Sequence, residues 1–307
     1  MQPQTVFLYI SASPIYDLDV HNMDLWRRCL ALEMFGSQSV DRALAILTMV
    51  GRAAERGETL SAIVAESGLN KPTVRRLLLA LIRAGLVEQD ETSRRYFLGE
   101  ETYVLGSLAA RRFGLLELSI DSLVRISRRT EDASFISVRR GTYSVCLYRE
   151  EGTFPIRTHA LQAGFEHPLG CGAGSLALLA ALPDEEIEAV LATNEPVLND
   201  NYPALPQERI RADIEETRQR GYSLNPGLIV PNSWGIGAVV RYPDGMPAGA
   251  LSIAAIDSRM QEPRQKELGA LLIEEAGRVE KKVAQMFASR VKAPVEAERR
   301  IQGRKVT

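Results

Sequence analysis

The stretch Asn70-Lys71-Pro72-Thr73-Val74-Arg75-Arg76-Leu77-Leu78 interleaves cations with apolar residues at helical spacing. Val74, Leu77, Leu78 and Leu81 stand at i, i+3, i+4 and i+7, the stripe of a helix with one buried face. Thr73, Arg75, Arg76 and Arg83 then point away from that stripe, and Lys71 lies in the first turn. Such a face suits phosphate oxygens, and arginine can also read guanine edges bidentately. Arg94 and Arg95 lie at the polar turn Asp90 to Arg94, between two short strand-like segments, where a hairpin tip would meet a nucleic-acid backbone. The bland alternative is a solvated charged face. Over residues 37–100, nine Lys and Arg oppose eight Asp and Glu, so bulk charge decides nothing. The placement of the cations on one helix face and one turn favours DNA contact.

A second locus is Gly170-Cys171-Gly172-Ala173-Gly174-Ser175. Glycines let a ligand approach the backbone, and a following helix offers its first amides to a carboxylate. Close helix–sheet packing would demand the same small residues. The spacing is GxGxG, not the dinucleotide GxGxxG, and no P-loop lysine follows. It also misses the nucleophile-elbow spacing. Cys171 with His159 or His167 could form a nucleophile–base pair, but a lone glycine-flanked cysteine reads better as a small pocket residue. His167 reads as a packing or surface residue, and Trp234 as core or as a pocket lid. The three cysteines and three histidines are scattered without CxxC, HxH or HExxH spacing. No catalytic residue, metal site, cofactor or disulfide framework is expected, and the chain does not read as an enzyme.

These loci need elements to hold them. Ser39 is placed to cap a helix carrying Val40, Ala43, Leu44, Leu47 and Ala54 inward, with Gly57 as its stop. A short helix, Ser61 to Glu66, ends at Gly68, and Asn70 caps the cationic helix, which Gly85 ends. Leu86 to Gln89 and Arg95 to Leu98 read as a hairpin. Glu101 to Ala110 is a helical connector. Leu116 to Arg129 is a helix facing inward through Leu116, Ile120, Leu123, Val124 and Ser127. Strands are expected at Ser134 to Val138, Tyr143 to Tyr148, Phe154 to Leu161, Ile236 to Tyr242 and Ala248 to Ala255. Helices are expected at Glu185 to Ala192, Gln207 to Arg220 and Arg264 to Ser289.

The chain has 307 residues, 45% hydrophobic and 25% charged, with a net charge of −2. That suits two globular domains and no general nucleic-acid coat. No apolar run reaches the ~18 residues of a membrane span, and the start lacks the basic region and cleavage site of a signal peptide. A cytoplasmic location is the expectation.

Three helices followed by a hairpin outline a winged helix-turn-helix. The runs Ser39-Val40-Asp41-Arg42-Ala43-Leu44-Ala45-Ile46-Leu47, Gly68 to Leu78 and Arg95-Tyr96-Phe97-Leu98-Gly99 resemble the IclR family of bacterial transcriptional regulators. The likeness continues through His167 to Gly174, Leu182-Pro183-Asp184-Glu185-Glu186 and Arg220-Gly221-Tyr222, and covers about residues 38–290. The resemblance implies an α+β chain. Its parts would be a winged helix-turn-helix at 37–100, a linker helix at 101–114 and a GAF-like α/β effector-binding domain at 115–290; beyond them the basic, polar composition of 291–307 reads as a mobile tail. It implies operator DNA as one partner, a small organic acid as another, and a homodimer or a dimer of dimers. By the same resemblance the effector would meet Gly170, Cys171, Gly172 and Ala173, then Asn225, Gly235, Ile236, Ser252 and Ala254. Gly170 stands where many members carry histidine, and Gly172 where many carry serine or threonine. Asn225 stands at an often acidic position. Backbone amides, Cys171 and Ser252 would therefore carry more of the recognition. A bulky side chain at Gly172 should fill the cavity and leave the fold intact. Residues 1–36 fall outside the pattern. They are either an unneeded leader or an arm docked through Trp26 and its apolar neighbours.

Overall fold

Three helices and a hairpin come first in the computed structural model, which describes residues 37–53, 56–156 and 161–302. The arm at 1–36 lies outside the described residues. Helix α1, Gln38–Arg52, starts after Ser37, two residues before the expected cap. Its buried face is Ala45, Ile46, Met49 and Val50; Val40 and Leu44, expected inside, are exposed. Both sets keep helical spacing; Ala43 and Leu47 are half-buried against the same core, and packing against the next helices turns Val40 and Leu44 out. Helix α2, Leu60–Ser67, is capped by Thr59, whose Oγ1 accepts from the Ala62 amide. It ends at Gly68, left-handed at φ 64°. Helix α3, Lys71–Arg83, is capped as expected: Asn70 Oδ1 accepts from the Thr73 amide at 2.9 Å, and Pro72 sits in the first turn. Val74, Leu77, Leu78 and Leu81 join Ile46, Met49, Val50 and Ile63 in one core.

Strands β1, Val87–Gln89, and β2, Tyr96–Leu98, form the hairpin. Glu58 adds a bridge to Tyr96 through two backbone hydrogen bonds of 2.8 Å, which tie the hairpin to the segment after α1. The chain divides into two compact units after Gly99.

The second unit opens with α4, Glu100–Phe113, and α5, Leu115–Thr130. The face of α5 that buries is lined by Ser119, Ser122, Leu123, Ile126 and Ser127, so the helix is turned relative to the expected stripe; Leu116, Ile120 and Val124 are half-buried. The serine hydroxyls are satisfied locally: Ser119 donates to the Leu115 carbonyl and Ser127 to Ser134. Six antiparallel strands follow in the order β5-β4-β3-β8-β7-β6. They are β3 (Ala133–Arg140), β4 (Tyr143–Glu150), β5 (Glu166–Pro168), β6 (Ser223–Pro226), β7 (Ser233–Arg241) and β8 (Pro247–Ile256).

No strand forms over the described parts of Phe154 to Leu161. The Phe154 amide donates to the Glu131 carbonyl, and its ring lies under the Arg259 guanidinium at 3.8 Å, so the chain is drawn to the sheet's end. The edge is β5 instead, pairing Ser144 with His167.

Helices α6 (Ala173–Ala180), α7 (Asp184–Asn201) and α8 (Gln207–Arg220) share a core that reaches Ala250 of the sheet. Helix α7 continues through Pro196, past its expected end at Ala192, because Val197 and Leu198 remain buried. Helix α9, Glu262–Gln302, packs with α5 on a core made by Ile236, Ala238, Val240, Leu251 and Ile253. Its helical backbone runs past Ser289 to Gln302.

Candidate functional site

On α3 the exposed residues are Lys71, Pro72, Arg75, Arg76, Leu79 and Arg83, with Thr73 half-buried. The glycine-turned step from α2 to α3 gives this helix the position of a recognition helix. At the hairpin tip Asp90 Oδ1 accepts from the Ser93 amide and hydroxyl, both at 2.6 Å. The hydroxyl bond from Ser93 holds the Asp90 carboxyl below its ordinary value. That turn places Arg94 at φ 59°, exposed. Arg95, expected beside the hairpin tip as a DNA contact, is half-buried and bonded within the domain. Its guanidinium donates to the Gly57 carbonyl at 3.0 Å and lies at 3.4 Å from that of Arg56. It fastens the hairpin to the segment after α1.

The second site lies where α6 starts above the sheet. A cavity of about 590 Å³, open mouth included, is walled by Phe135, Leu161, Ile229, Val230 and Trp234. Cys171, Gly172, Ala173, Gly174 and Ser175 form its helical end. Ser137, Ser144, His167, Asn225, Ser233 and Ser252 bring polar atoms. No Asp, Glu, Lys or Arg is among the described lining residues. Helix α6 has no side-chain cap, so its first amides are donors without an intrahelical partner. Ser252 Oγ lies 3.2 Å from where a Cβ of Gly174 would sit, directly beneath that terminus. Asn225 Oδ1 accepts from the Leu228 amide, which leaves its side-chain NH2 as the donor.

Of the nine expected effector residues, Cys171, Gly172, Ala173, Asn225, Gly235, Ser252 and Ala254 line this cavity. Ile236 does not. Strand alternation turns Gly235 to the cavity and Ile236 to the α5–α9 core on the opposite face. Gly170 does not line it either; a Cβ there would meet Ile210 at 3.0 Å and Leu179 at 3.2 Å. Its amide donates to Ser175 Oγ, so it shapes the turn from behind.

Gly172 has φ 83° and ψ 158°, and a Cβ there would meet nothing within 4 Å. The space is open, as expected. The backbone is one that only glycine adopts freely, so a bulky replacement is not benign. Gly235 and Gly237 are small for another reason: Cβ atoms there would lie 3.1 Å from Ala173 Cβ and 2.9 Å from the Ala173 backbone. Phe135, Ser137, Ser144 and Trp234 also line the site. Period-2 alternation along β3 could have flagged the first two.

The thiols are not poised as nucleophiles. Burial pushes Cys146 up to about 12, and burial raises Cys171 as well. His167 Nδ1 pairs with the Tyr202 hydroxyl at 3.2 Å, and Tyr202 is itself raised chiefly by burial. His159 lies outside the described residues. Among the described residues, no cluster of three or more His, Cys, Asp or Glu is placed to hold a metal ion.

The IclR helix-turn-helix domain model matches residues 39–91, and that of the bacterial transcriptional regulator IclR C-terminal domain matches 108–281. The chain belongs to the IclR family. The HTH-type transcriptional regulator KipR of Bacillus subtilis is 26% identical over 225 residues, covering 73% of this chain and 89% of KipR. A solved IclR-type regulator from a Silicibacter species is 26% identical with a TM-score of 0.66, over 80% of this chain and 96% of that one. An IclR homologue from Microbacterium hydrocarbonoxydans, solved with 4-hydroxybenzoate, shares the fold. Its TM-score is 0.64 at 21% identity, over 80% of this chain and 99% of that one. The relatives are named as transcriptional regulators, and this IclR-family chain is a DNA-binding transcriptional regulator, not an enzyme. Among the described residues, no helix is long and apolar enough to cross a membrane.

Proposed function

We propose that this regulator answers to a small organic carboxylate held at the start of α6. The observation that carries this reading is the uncapped α6 terminus opening into a cavity whose described lining holds no acidic residue. Its free amides and the helix dipole favour an anion, with Ser252 and the Asn225 amide beside them. The apolar walls Phe135, Leu161 and Ile229 suit a ring or a short chain. The chain would be organised as a DNA-binding domain at 37–100, a linker at 101–114 and an effector domain at 115–290. Lys71, Thr73, Arg75 and Arg76, with Arg94 at the wing, contact operator DNA. Reading a two-part operator takes two wings, so a homodimer is the minimum and a dimer of dimers fits the same logic. An apolar face of α4 supports self-association: at i, i+1 and i+4 spacing, Val104 is 41% exposed, Leu105 49% and Leu108 60%. Effector and DNA then prefer different arrangements, and their coupling shifts operator occupancy.

The test uses full-length protein and a panel of carboxylates beginning with 4-hydroxybenzoate, the ligand of the Microbacterium homologue. A binder present at about 100 times its Kd should stabilise the native state by roughly 2.7 kcal/mol and raise Tm. It should also change the affinity for an operator selected from random DNA. If no carboxylate raises Tm while operator binding is intact, the second domain is not a carboxylate sensor and serves assembly alone.

A further inference from the structure

Leu79 stands on the cationic face of α3, 55% exposed, with Arg75 and Arg76 one turn before it and Arg83 one turn after. The rest of the helix's large apolar side chains point inward: Val74, Leu77, Leu78 and Leu81 are buried. An isolated exposed leucine needs no explanation on a neutral surface. Here it sits amid side chains whose charge selects a polyanion, so whatever covers the arginines covers the leucine too. In the major groove one base presents an apolar group, the C5-methyl of thymine. Four residues of helix advance about 6 Å, and base pairs stack about 3.4 Å apart. A leucine one turn beyond Arg75 therefore reaches about two base steps along from the base that Arg75 addresses.

We infer that Leu79 is a specificity residue of this DNA-binding face, contacting a thymine methyl between the arginine contacts. The inference rests on α3 being the recognition helix, and its test separates the two. An operator is selected from random DNA with the full-length protein. Each thymine in it is then replaced by deoxyuridine, which removes only the methyl. Affinities are read by fluorescence anisotropy for wild type, Leu79→Ala and the Arg75→Ala/Arg76→Ala double variant. One methylene-sized apolar group buried is worth about a fourfold change in Kd. Wild type should lose about fourfold at one thymine of each half-site, and Leu79→Ala should show no further loss at that base. Leu79→Ala should keep the salt slope of wild type, because no phosphate contact is removed. Alanine is at least as good a helix former as leucine, and the site is exposed, so the variant folds; its Tm checks this. Equal uridine penalties in wild type and Leu79→Ala at every thymine would overturn the inference. So would a change in assembly mass on Leu79→Ala, which would make the leucine a subunit contact. Operator binding untouched by Arg75→Ala/Arg76→Ala would instead remove α3 as the reading helix.

Discussion

Gly172→Ala isolates backbone strain from cavity filling. The residue sits at φ 83° and ψ 158°, a region open essentially to glycine alone. An added Cβ meets no heavy atom within 4 Å, so no steric or packing change enters. The whole effect is the cost of holding an L-residue there, about 1–3 kcal/mol. For a unit of 150–250 residues each kcal/mol moves Tm by about 2–4 °C, so the expected fall is roughly 2–12 °C. Differential scanning fluorimetry without ligand reads it. A Tm within about 1 °C of wild type would refute the reasoning, since the turn would then relax to a conformation alanine accepts. The result also governs how the pocket should be blocked. Leucine at 172 would combine strain with occlusion, whereas Ala254→Leu adds volume from a regular strand position that lines the cavity. The latter should abolish the carboxylate-induced rise in Tm and leave operator affinity as it was.

Arg75→Ala with Arg76→Ala should remove operator binding with Tm unchanged; a bidentate arginine–base pair is worth about 1–3 kcal/mol, and filter binding over a salt series tells base recognition from phosphate binding. Asp132→Ala should destabilise the second unit by about 3–5 kcal/mol in urea unfolding, because the carboxylate is 3% exposed and accepts from Arg259 at 2.9 Å and Arg264 at 2.7 Å. Burial alone would raise the Glu275 carboxyl, yet hydrogen bonds from Arg125 and Ser122 outweigh it and hold it below its ordinary 4.5. Its stabilisation is therefore complete above about pH 4.5 and lost as pH falls through the lowered value, and Glu275→Gln should flatten that acid limb of the stability curve. Iodoacetamide at pH 8 should leave Cys146 and Cys171 unmodified in the native protein and label both after unfolding, as peptide mapping will read.

The helical unit was legible because its signals are local. Thr73 and Asn70, Gly68 and the Val74–Leu81 stripe each act within one or two turns. The rotation of α1 was not: Val40 and Leu44 keep helical spacing as well as Ile46 and Met49 do, and only the partner helix distinguishes them. The same holds for α5, where serines take the buried face because their hydroxyls bond within the helix or to Ser134. Strands β5 and β6, of three and four residues, carry too little pattern to be read. Phe154 to Leu161 read as a strand from composition, but Arg259 and the Glu131 carbonyl claim Phe154 first. In the cavity, the glycine turn and Ser252 were legible. Ile236 was misplaced by one residue, and on a pleated strand one residue is the other side of the sheet.

Helix α6 lies on β7 where Gly235 and Gly237 offer no side chains, so backbone meets backbone at the floor of the cavity. That floor has no substitutable surface. Any side chain at 237 displaces the helix, and any at 172 strains its first turn. On the proposed reading, a directed library seeking a new effector works from the walls, at Ser144, Ile229, Val230 and Ala254, while Phe135 is held in the core beside Ala133 and Cys146. On the proposed reading, the anion end is set by the α6 backbone, and the choice among acids falls to the side chains of the walls.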